Sequence, residues 1–277
     1  MDKPTLFEKY YNIDADANIE KPSFMIPLGV NSHGILEQVE IIDKHWQHIV
    51  VAGHAGTGKS IYLHTVLASL LLSYSADQVN LWLSDGGMCE FNRFTDNAPA
   101  HIKRVNTTSD PASYIAFVDA LETEIDSRLK YLASVEKTSF YACCREANKC
   151  SFPRLVIVVD GFDHFIRCLS EVGHQYVSKM EHIVRRASTC GITFVISTQE
   201  ALFLAQRISR SFFELFGIRI ATKQLSDSYS VLFDHRTTDL ARDLKLGEII
   251  TSNFPKQKLN MLYISTEIER QIIAKKR

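Results

Sequence analysis

The octapeptide GHAGTGKS at residues 53–60 constrains the chain more than any other segment. It fits the pattern G-x-x-x-x-G-K-[S/T]. The apolar run HIVVAG at 48–53 precedes it, and SIYLHTVLASLLLSY at 60–74, with apolar residues at helical spacing, follows it. A chance match would lack this strand–loop–helix context, in which such a loop surrounds phosphate groups. The segment therefore predicts a phosphate-binding loop in an α/β domain.

Each residue type in this loop has a chemical reason to be there. Glycines let the backbone curl so that successive N–H groups point at phosphate oxygens, and the N-terminus of the next helix faces the same anion. We expect Lys59 to reach the β- and γ-phosphates and the Ser60 hydroxyl to bind Mg²⁺, so that the ligand is ATP·Mg. The residues predicted to bind the nucleotide are Gly53, His54, Ala55, Gly56, Thr57, Gly58, Lys59 and Ser60.

A second acidic position completes the predicted site. The strand LVIVV at 155–159 ends in Asp160, at the carboxyl end where open α/β sheets bind ligands. Asp160 is predicted to hold Mg²⁺ with Ser60; the alternative is that it only caps the turn before Gly161. A water-orienting Glu often follows this Asp, but here Gly161 has no side chain, and Asp163 in an extended chain would lie about 6.6 Å further on. We therefore predict slow or absent hydrolysis and assign no catalytic residue.

Polar side chains after the next strand are further candidates. GITFVISTQ ends in Gln199, where a polar group can face the γ-phosphate as a sensor; a simple strand-end turn is the alternative. Arg207 and Arg210 follow on the next predicted helix. They are candidates to reach a neighbouring subunit's nucleotide, or they lie on a solvated helix face.

Strand and helix patterns alternate along the chain. The fold class they predict is a single α/β domain, with a mostly parallel central sheet and helices on both faces. A hairpin is expected at 26–42, a long helix at 110–135, and a closing hairpin formed by 246–251 and 258–264. Residues 1–25 form a predicted lead-in arm, 26–266 the ATPase domain, and 267–277 a C-terminal tail.

Composition limits the function classes. The chain has 277 residues, 45% of them hydrophobic, and its 31 basic and 32 acidic residues give a net charge of −1. This balance argues mildly against a free-standing nucleic-acid binder, which usually carries a basic surplus. No apolar run reaches the roughly 18 residues of a membrane span, and the acidic first residues lack the pattern of a secretory signal. The six cysteines have no zinc-site spacing and are expected to be reduced thiols.

Several segments, in this order, resemble the ATPase domains of the FtsK/SpoIIIE family. They cover roughly residues 24–264, and the specific feature is their order. The resemblance implies a RecA-like P-loop NTPase fold that binds ATP and Mg²⁺. The segments are IPLGVNSHGILEQVEIIDKHWQHIVVAGHAGTGKS, LWLSD, EIDSRLKYLASVEKTSFYACCREAN, PRLVIVVDGFDHF, RASTCGITFVISTQ and GIRIATKQLSDSYSVLFD.

Two branches of this family compete. DNA translocases keep Asp-Glu at the second acidic strand and Thr-Gln-Arg-Pro after the sensor strand, whereas this chain has Asp160-Gly161 and Thr198-Gln199-Glu200-Ala201. It is more similar to the C-terminal ATPase modules of type VII secretion proteins of the EssC/EccC kind. That resemblance implies a membrane-anchored parent at the cytoplasmic face of the cell membrane, with ATPase modules in a row. A DNA translocase motor is the alternative, and a nucleotide-sensing module without catalysis is a third reading.

The resemblance also implies the partners. They are adjacent ATPase modules of the same chain, exported helical WXG-type substrates and further copies in a homo-hexamer, with no DNA expected. In the family, a C-terminal module can receive the substrate's signal peptide in an apolar pocket. No motif of this sequence marks such a pocket.

Overall fold

The phosphate-loop strand lies inside a large sheet in the computed structural model of the chain. The structure describes residues 4–14, 24–42, 48–86, 89–96, 98–147, 150–223, 230–252 and 257–277. The strands within these ranges are, in chain order, β1 Thr5–Leu6, β2 Phe24–Val30, β3 Leu36–Ile41, β4 Ile49–Ala52, β5 Val79–Asp85, β6 Ile102–Asn106, β7 Arg154–Asp160, β8 Ile192–Thr198, β9 Ile218–Ala221, β10 Glu248–Thr251, β11 Lys258–Asn260 and β12 Leu262–Tyr263.

The helices alternate with the strands through the middle of the chain. The α-helices of the described residues are α1 Lys59–Ser73, α2 Pro111–Ser134, α3 Phe140–Ala147, α4 Phe162–Val172, α5 His174–Ala187, α6 Ala201–Arg207, α7 His235–Arg242 and α8 Thr266–Lys275. Among them, none is long and apolar enough to cross a membrane.

Ten of the described strands form the main sheet, in the order β3-β2-β11-β10-β9-β4-β8-β7-β5-β6. The six strands from β9 to β6 run parallel to one another, and the four from β3 to β10 are antiparallel to their neighbours. β4, which leads into the phosphate loop, lies between β8 and β9. The predicted α/β class with a mostly parallel central sheet is confirmed.

Helices cover both faces of this sheet. Along β4, Ile49 and Val51 belong to the core under α1 and α8, while Val50 and Ala52 belong to the core under α2, α4, α5 and α6. Residues of a strand alternate between faces, so a continuous apolar run such as 49–52 is what a strand covered on both sides requires. Twelve of the fifteen residues of α1 are buried, so this helix forms the centre of its layer.

The predicted hairpins and the long helix are present. β2 pairs antiparallel with β3, and β10 with β11. α2 begins after Asp110, whose carboxylate accepts a hydrogen bond from the backbone N–H of Ser113 at 3.1 Å, with Pro111 in the first turn. The helix expected around Phe212 is instead divided into α6 and a 3₁₀ helix at Arg210–Leu215.

Both described ends of the chain lie against the layer of α1. β1 pairs with β12, and Phe7, within the predicted arm, is fully buried in that core. The residues that the sequence assigned to a tail form most of α8, and Ile272 on this helix is fully buried. The Lys275 ammonium donates to the carbonyl of Ile13 at 3.0 Å, which joins the two ends.

The two edge strands of the main sheet carry charges of opposite sign. β3 contains Glu37 and Glu40. β6 contains Lys103 and Arg104, and the Arg104 guanidinium lies 4.9 Å from the ring centre of Trp82 on the neighbouring strand.

Candidate nucleotide site

The loop between β4 and α1 is curled and braced by its own side chains. Gly56 and Gly58 have φ angles of +73° and +99°, which favour glycine. The Lys59 ammonium donates to the carbonyl of His54 at 2.8 Å, and the Thr57 hydroxyl donates to the same carbonyl at 2.6 Å. Burial lowers the pKa of Lys59, and the carboxylates of Asp160 and Asp163 act to raise it. The lysine therefore lies folded over the mouth of the loop.

Neighbouring strands fix where the loop begins. The backbone N–H of His54 donates to the carbonyl of Lys223 at 3.1 Å, just after β9. The hydroxyls of Thr57 and Thr222 are 2.6 Å apart. A Cβ atom at Gly53 would lie 1.8 Å from the Thr222 hydroxyl, so this close approach requires glycine. β9 therefore supports the loop from the side opposite the acidic strand.

The N–H groups at the end of the loop are placed where an anion could bind. The first hydrogen bond of α1 runs from the N–H of Tyr62 to the carbonyl of Gly58 at 3.0 Å. The N–H groups of Lys59 and Ser60 lie ahead of it, where a helix leaves donors without intrahelical acceptors and carries partial positive charge. This end of α1 opens into the cleft described below.

Asp160 meets Ser60 at the carboxyl end of β7. Along this strand Val156 and Val158 face α1, and alternation places the Asp160 side chain on the same side. The Ser60 hydroxyl donates to Asp160 Oδ2 at 2.8 Å. Burial raises the pKa of Asp160, and hydrogen bonds from the hydroxyls of Ser197 and Ser60 partly offset this. A hydroxyl and a carboxylate are the hard oxygen ligands that suit Mg²⁺.

Ser197, on β8, links Asp160 to the start of α4. Its hydroxyl donates to Asp160 Oδ1 and accepts a hydrogen bond from the backbone N–H of Gly161 at 2.8 Å. Ser197 lies two residues before Gln199, the candidate sensor, but the sequence does not predict its contact with Asp160. Both oxygens of the Asp160 carboxylate are thus engaged by hydroxyl groups.

A cleft of about 350 Å³ joins the predicted residues. The structure brings Lys59, Ser60, Asp160 and Gln199 together on its walls, along with Gly56, Gly58 and Gly161. Gly53, His54, Ala55 and Thr57, which the sequence also predicted to bind the nucleotide, are not among the lining residues. Cys89 and Glu90, from the segment after β5, also line the cleft and were not predicted.

The position expected for Asp163 requires an extended chain after Gly161, but the chain turns there into a helix. Gly161 has a φ of +69° and α4 begins at the next residue. Asp163 is nearly buried in the first turn, and its carboxylate accepts a hydrogen bond from the backbone N–H of Gln199 at 3.1 Å. Asp163 therefore positions the backbone just after β8 and is not among the residues that line the cleft.

Of the two arginines predicted as candidate inter-subunit groups, Arg207 ends α6 and Arg210 follows it. Arg207 is exposed at the end of that helix, and its guanidinium lies 5.7 Å from the ring centre of Phe203. The side chain of Arg210 lies outside the described residues.

Glu90 belongs to a charged network between α1 and α8. Its Oε2 lies 3.2 Å from His64 Nε2, while His64 Nδ1 lies 2.6 Å from Glu269 Oε1, and Arg93 pairs with Glu269. Burial lowers the pKa of His64, but hydrogen bonds to Glu269 and Glu90 outweigh this and raise it to about 9. The hydrogen bond from His64 in turn lowers the pKa of Glu90.

This network could not be found from the sequence. His64 is visible only as an interruption of the apolar run of α1, and Glu269 is 205 residues away from it. No spacing pattern joins them.

Comparison with known proteins shows the family and the type of fold. The model of the FtsK/SpoIIIE family matches residues 13–209. The DNA translocase FtsK of Streptococcus pneumoniae is 25% identical over 183 residues, which are 63% of this chain and 23% of that protein. The chain spans only 16–23% of the length of the curated relatives compared here.

Solved structures share the fold across nearly the whole chain. The cytoplasmic domain of the type VII secretion ATPase EccC from Thermomonospora curvata has a TM-score of 0.78 at 17% identity, covering 99% of this chain and 34% of that one. ATPases 2 and 3 of that EccC, in complex with a signal sequence peptide, give 0.73 at 17%, covering 99% and 52%. The pCW3 conjugation coupling protein TcpA with ATPγS gives 0.70 at 15%, covering 95% and 73%.

These likenesses establish the P-loop ATPase type of fold. The family model covers more than half of the chain and includes the phosphate loop, Asp160 and Gln199. The chain belongs to the FtsK/SpoIIIE family.

Proposed function

We propose that this chain is an ATPase module of a type VII secretion motor, of the C-terminal kind, which binds ATP·Mg and hydrolyses it slowly or not at all. The observation that carries this proposal is the cleft in which Lys59, Ser60 and Asp160 meet, next to a glycine at the position of the usual catalytic Glu. In this proposal the cleft supplies the groups that bind the nucleotide, and Gly161 stands in place of the adjacent water-activating side chain.

The residues of the cleft have distinct roles in this proposal. The N–H groups at the start of α1 and the ammonium of Lys59 bind the phosphates, and Lys59 leaves the His54 carbonyl to do so. Ser60 and Asp160 hold Mg²⁺, which when bound neutralises charge on the β- and γ-phosphate oxygens. Gln199 faces the γ-phosphate.

Three observations favour the secretion branch. The EccC structures resemble the chain over 99% of its length. The net charge of −1 gives no general attraction to a DNA backbone. Gly161 and Ala201 depart from the residues of the DNA translocases.

In this role the module, with its ATPase domain at 26–266, works at the cytoplasmic face of the cell membrane as part of a membrane-anchored protein, next to other ATPase modules.

The partners follow from the same role. One EccC structure holds a signal sequence peptide, which supports contact of this module with exported WXG-type substrates. Adjacent modules of the same parent chain and further copies in a homo-hexamer are the other proposed partners.

A DNA translocase motor is the second candidate, because the matching curated relatives are named DNA translocases. The two functions differ in their response to DNA. A translocase should show ATPase activity that is stimulated by duplex DNA and falls steeply with salt. A secretion module should show no stimulation at any salt concentration.

Calorimetric titration with ATP·Mg tests nucleotide binding directly. The Lys59→Ala variant loses a charge-assisted contact to phosphate, worth roughly 1.5–3 kcal/mol, and should bind about 10- to 150-fold more weakly. Lys130→Ala, which removes an exposed lysine of α2, is the matched control and should bind like the native chain. Equal affinity of the Lys59→Ala variant and the native chain would mean that this loop does not bind the triphosphate.

A further inference from the structure

We propose that Glu90 orients the attacking water and accepts its proton in this cleft. Glu90 can act in this way only if ATP·Mg binds as proposed above, so the assignment deepens that function. Among the described residues that line the cleft, Asp160 and Glu90 are the carboxylates. Asp160 already receives hydrogen bonds from Ser60 and Ser197 on its two oxygens. Glu90 is therefore the lining carboxylate that remains for a water molecule.

The fold brings Glu90 to the cleft that Ser60 and Asp160 also line. β5 lies beside β7, and Asp85 at its end is in register with Asp160. The Glu90 carboxylate, five residues after the end of β5, meets His64 of α1. His64 follows Ser60 by one helical turn, and side chains four residues apart on a helix have Cβ atoms about 5–6 Å from each other. Glu90 thus reaches the cleft from the neighbouring strand and not from the position after Asp160.

Glu90 is held firmly, but water can reach it. Its backbone N–H donates to the Asp85 carboxylate at 2.6 Å. Its side chain is fixed by His64, which Glu269 holds from the other side. The Glu90 side chain keeps 33% of its surface exposed. A fixed carboxylate at a water-accessible wall is the geometry that orienting a nucleophile requires.

The chemical step balances with the groups present. The water oxygen forms a bond to the γ-phosphorus, and the bond from that phosphorus to the β,γ-bridging oxygen breaks. The proton of the water passes to the Glu90 carboxylate and then to solvent, which leaves ADP and inorganic phosphate. His64 makes Glu90 a weaker base by hydrogen bonding to it, which accounts for slow turnover.

Single-turnover hydrolysis of radiolabelled ATP, with protein in excess, tests this role. The native chain should release phosphate slowly. The Glu90→Gln variant keeps the shape and a hydrogen bond to His64 but cannot take the proton, so its rate should fall by about a hundredfold or more. Its affinity for ATP·Mg should match that of the native chain, and its melting temperature should fall only slightly because His64 keeps its contact with Glu269. Glu267→Gln, an exposed residue of α8, is the control and should keep the native rate.

The possible failures can be told apart. A native rate in Glu90→Gln, or no phosphate release by a native chain that binds ATP·Mg, would overturn the role of Glu90 and leave nucleotide binding standing. No binding of ATP·Mg by the native chain, or equal binding by Lys59→Ala, would overturn both proposals.

Discussion

Replacing Gly161 with Glu would restore the side chain that follows the acidic strand in the DNA translocases, yet we expect no gain in ATPase activity. Gly161 joins β7 to α4 with a φ of +69°. The nearest atom to a Cβ placed there is the Gly86 Cα, at 3.7 Å. The new side chain would therefore start on the β5 side of the cleft. Placement of a catalytic group tolerates an error of only about 1 Å, so hydrolysis should rise by less than about tenfold.

The structure also sets the cost in stability of this change. The 3.7 Å contact is ordinary van der Waals packing, so no clash is added. The left-handed backbone costs an L-residue roughly 1–2 kcal/mol. A negative charge at the N-terminus of α4 returns about 0.3–1 kcal/mol of this. The net loss of about 1 kcal/mol should lower the melting temperature by about 2–4 °C.

Gly161→Ala is the matched control for this experiment, because it has the same backbone cost without the carboxylate. Thermal unfolding and steady-state phosphate release would be measured on all three proteins. We expect both variants to be destabilised, Gly161→Ala by about 0.3–1 kcal/mol more because it lacks the favourable charge at the start of α4, and neither to be activated. An increase in phosphate release of more than tenfold in Gly161→Glu alone would refute the reasoning, and it would mean that the site lacks nothing but this side chain.

Two buried histidines should give the native chain opposite pH responses, and a buried hydroxyl should prove structurally important. Burial lowers the pKa of His48 to about 4, below its unfolded value of about 6.5. The stabilising contribution of His48 is therefore present above pH 6.5 and is lost as pH falls, by about 3 kcal/mol near pH 4. Urea unfolding measured against pH should show this loss, and the His48→Gln variant should not. The pKa of His64 is raised to about 9, so its contribution to stability is complete below pH 6.5 and is lost as pH rises through 9. Urea unfolding of the His64→Gln variant should lack this loss at alkaline pH. Ser197→Ala should cost about 1–3 kcal/mol in urea unfolding because the N–H of Gly161 loses its acceptor, whereas the exposed Ser134→Ala should cost less than about 0.5 kcal/mol.

The parts of the fold with strong local patterns could be predicted. β7 is an apolar run ended by a carboxylate, and α2 has both a cap and a regular apolar stripe. α4 was missed because it begins directly after Gly161 with no capping side chain. The position of the β2–β3 hairpin beside β11 depends on contacts between distant segments, which local patterns do not contain.

The residues of the candidate site also divide into those that local motifs predict and those that only the fold brings together. The phosphate loop and Asp160 are local motifs, so their residues were predicted and the structure brings them together. Ser197 and Thr222 come from other strands, 37 and 165 residues from the groups they contact. Glu90 follows a strand with no motif around it. The arrangement of strands and helices brings such residues to the site, so they can be identified only from the three-dimensional structure.

The charges on β3 and β6 affect how copies of this sheet can approach one another. An open sheet ends in strands with unpaired backbone groups, which invite another strand to add on. Neighbouring strands of a sheet lie about 4.8 Å apart. At that spacing, two β3 strands side by side would bring glutamates near glutamates, and two β6 strands would bring cations near cations. Like edges therefore repel, whereas β3 of one copy attracts β6 of the next. If copies of this sheet joined edge to edge, charge would favour β3 of one copy beside β6 of the next and oppose the pairing of two identical edges.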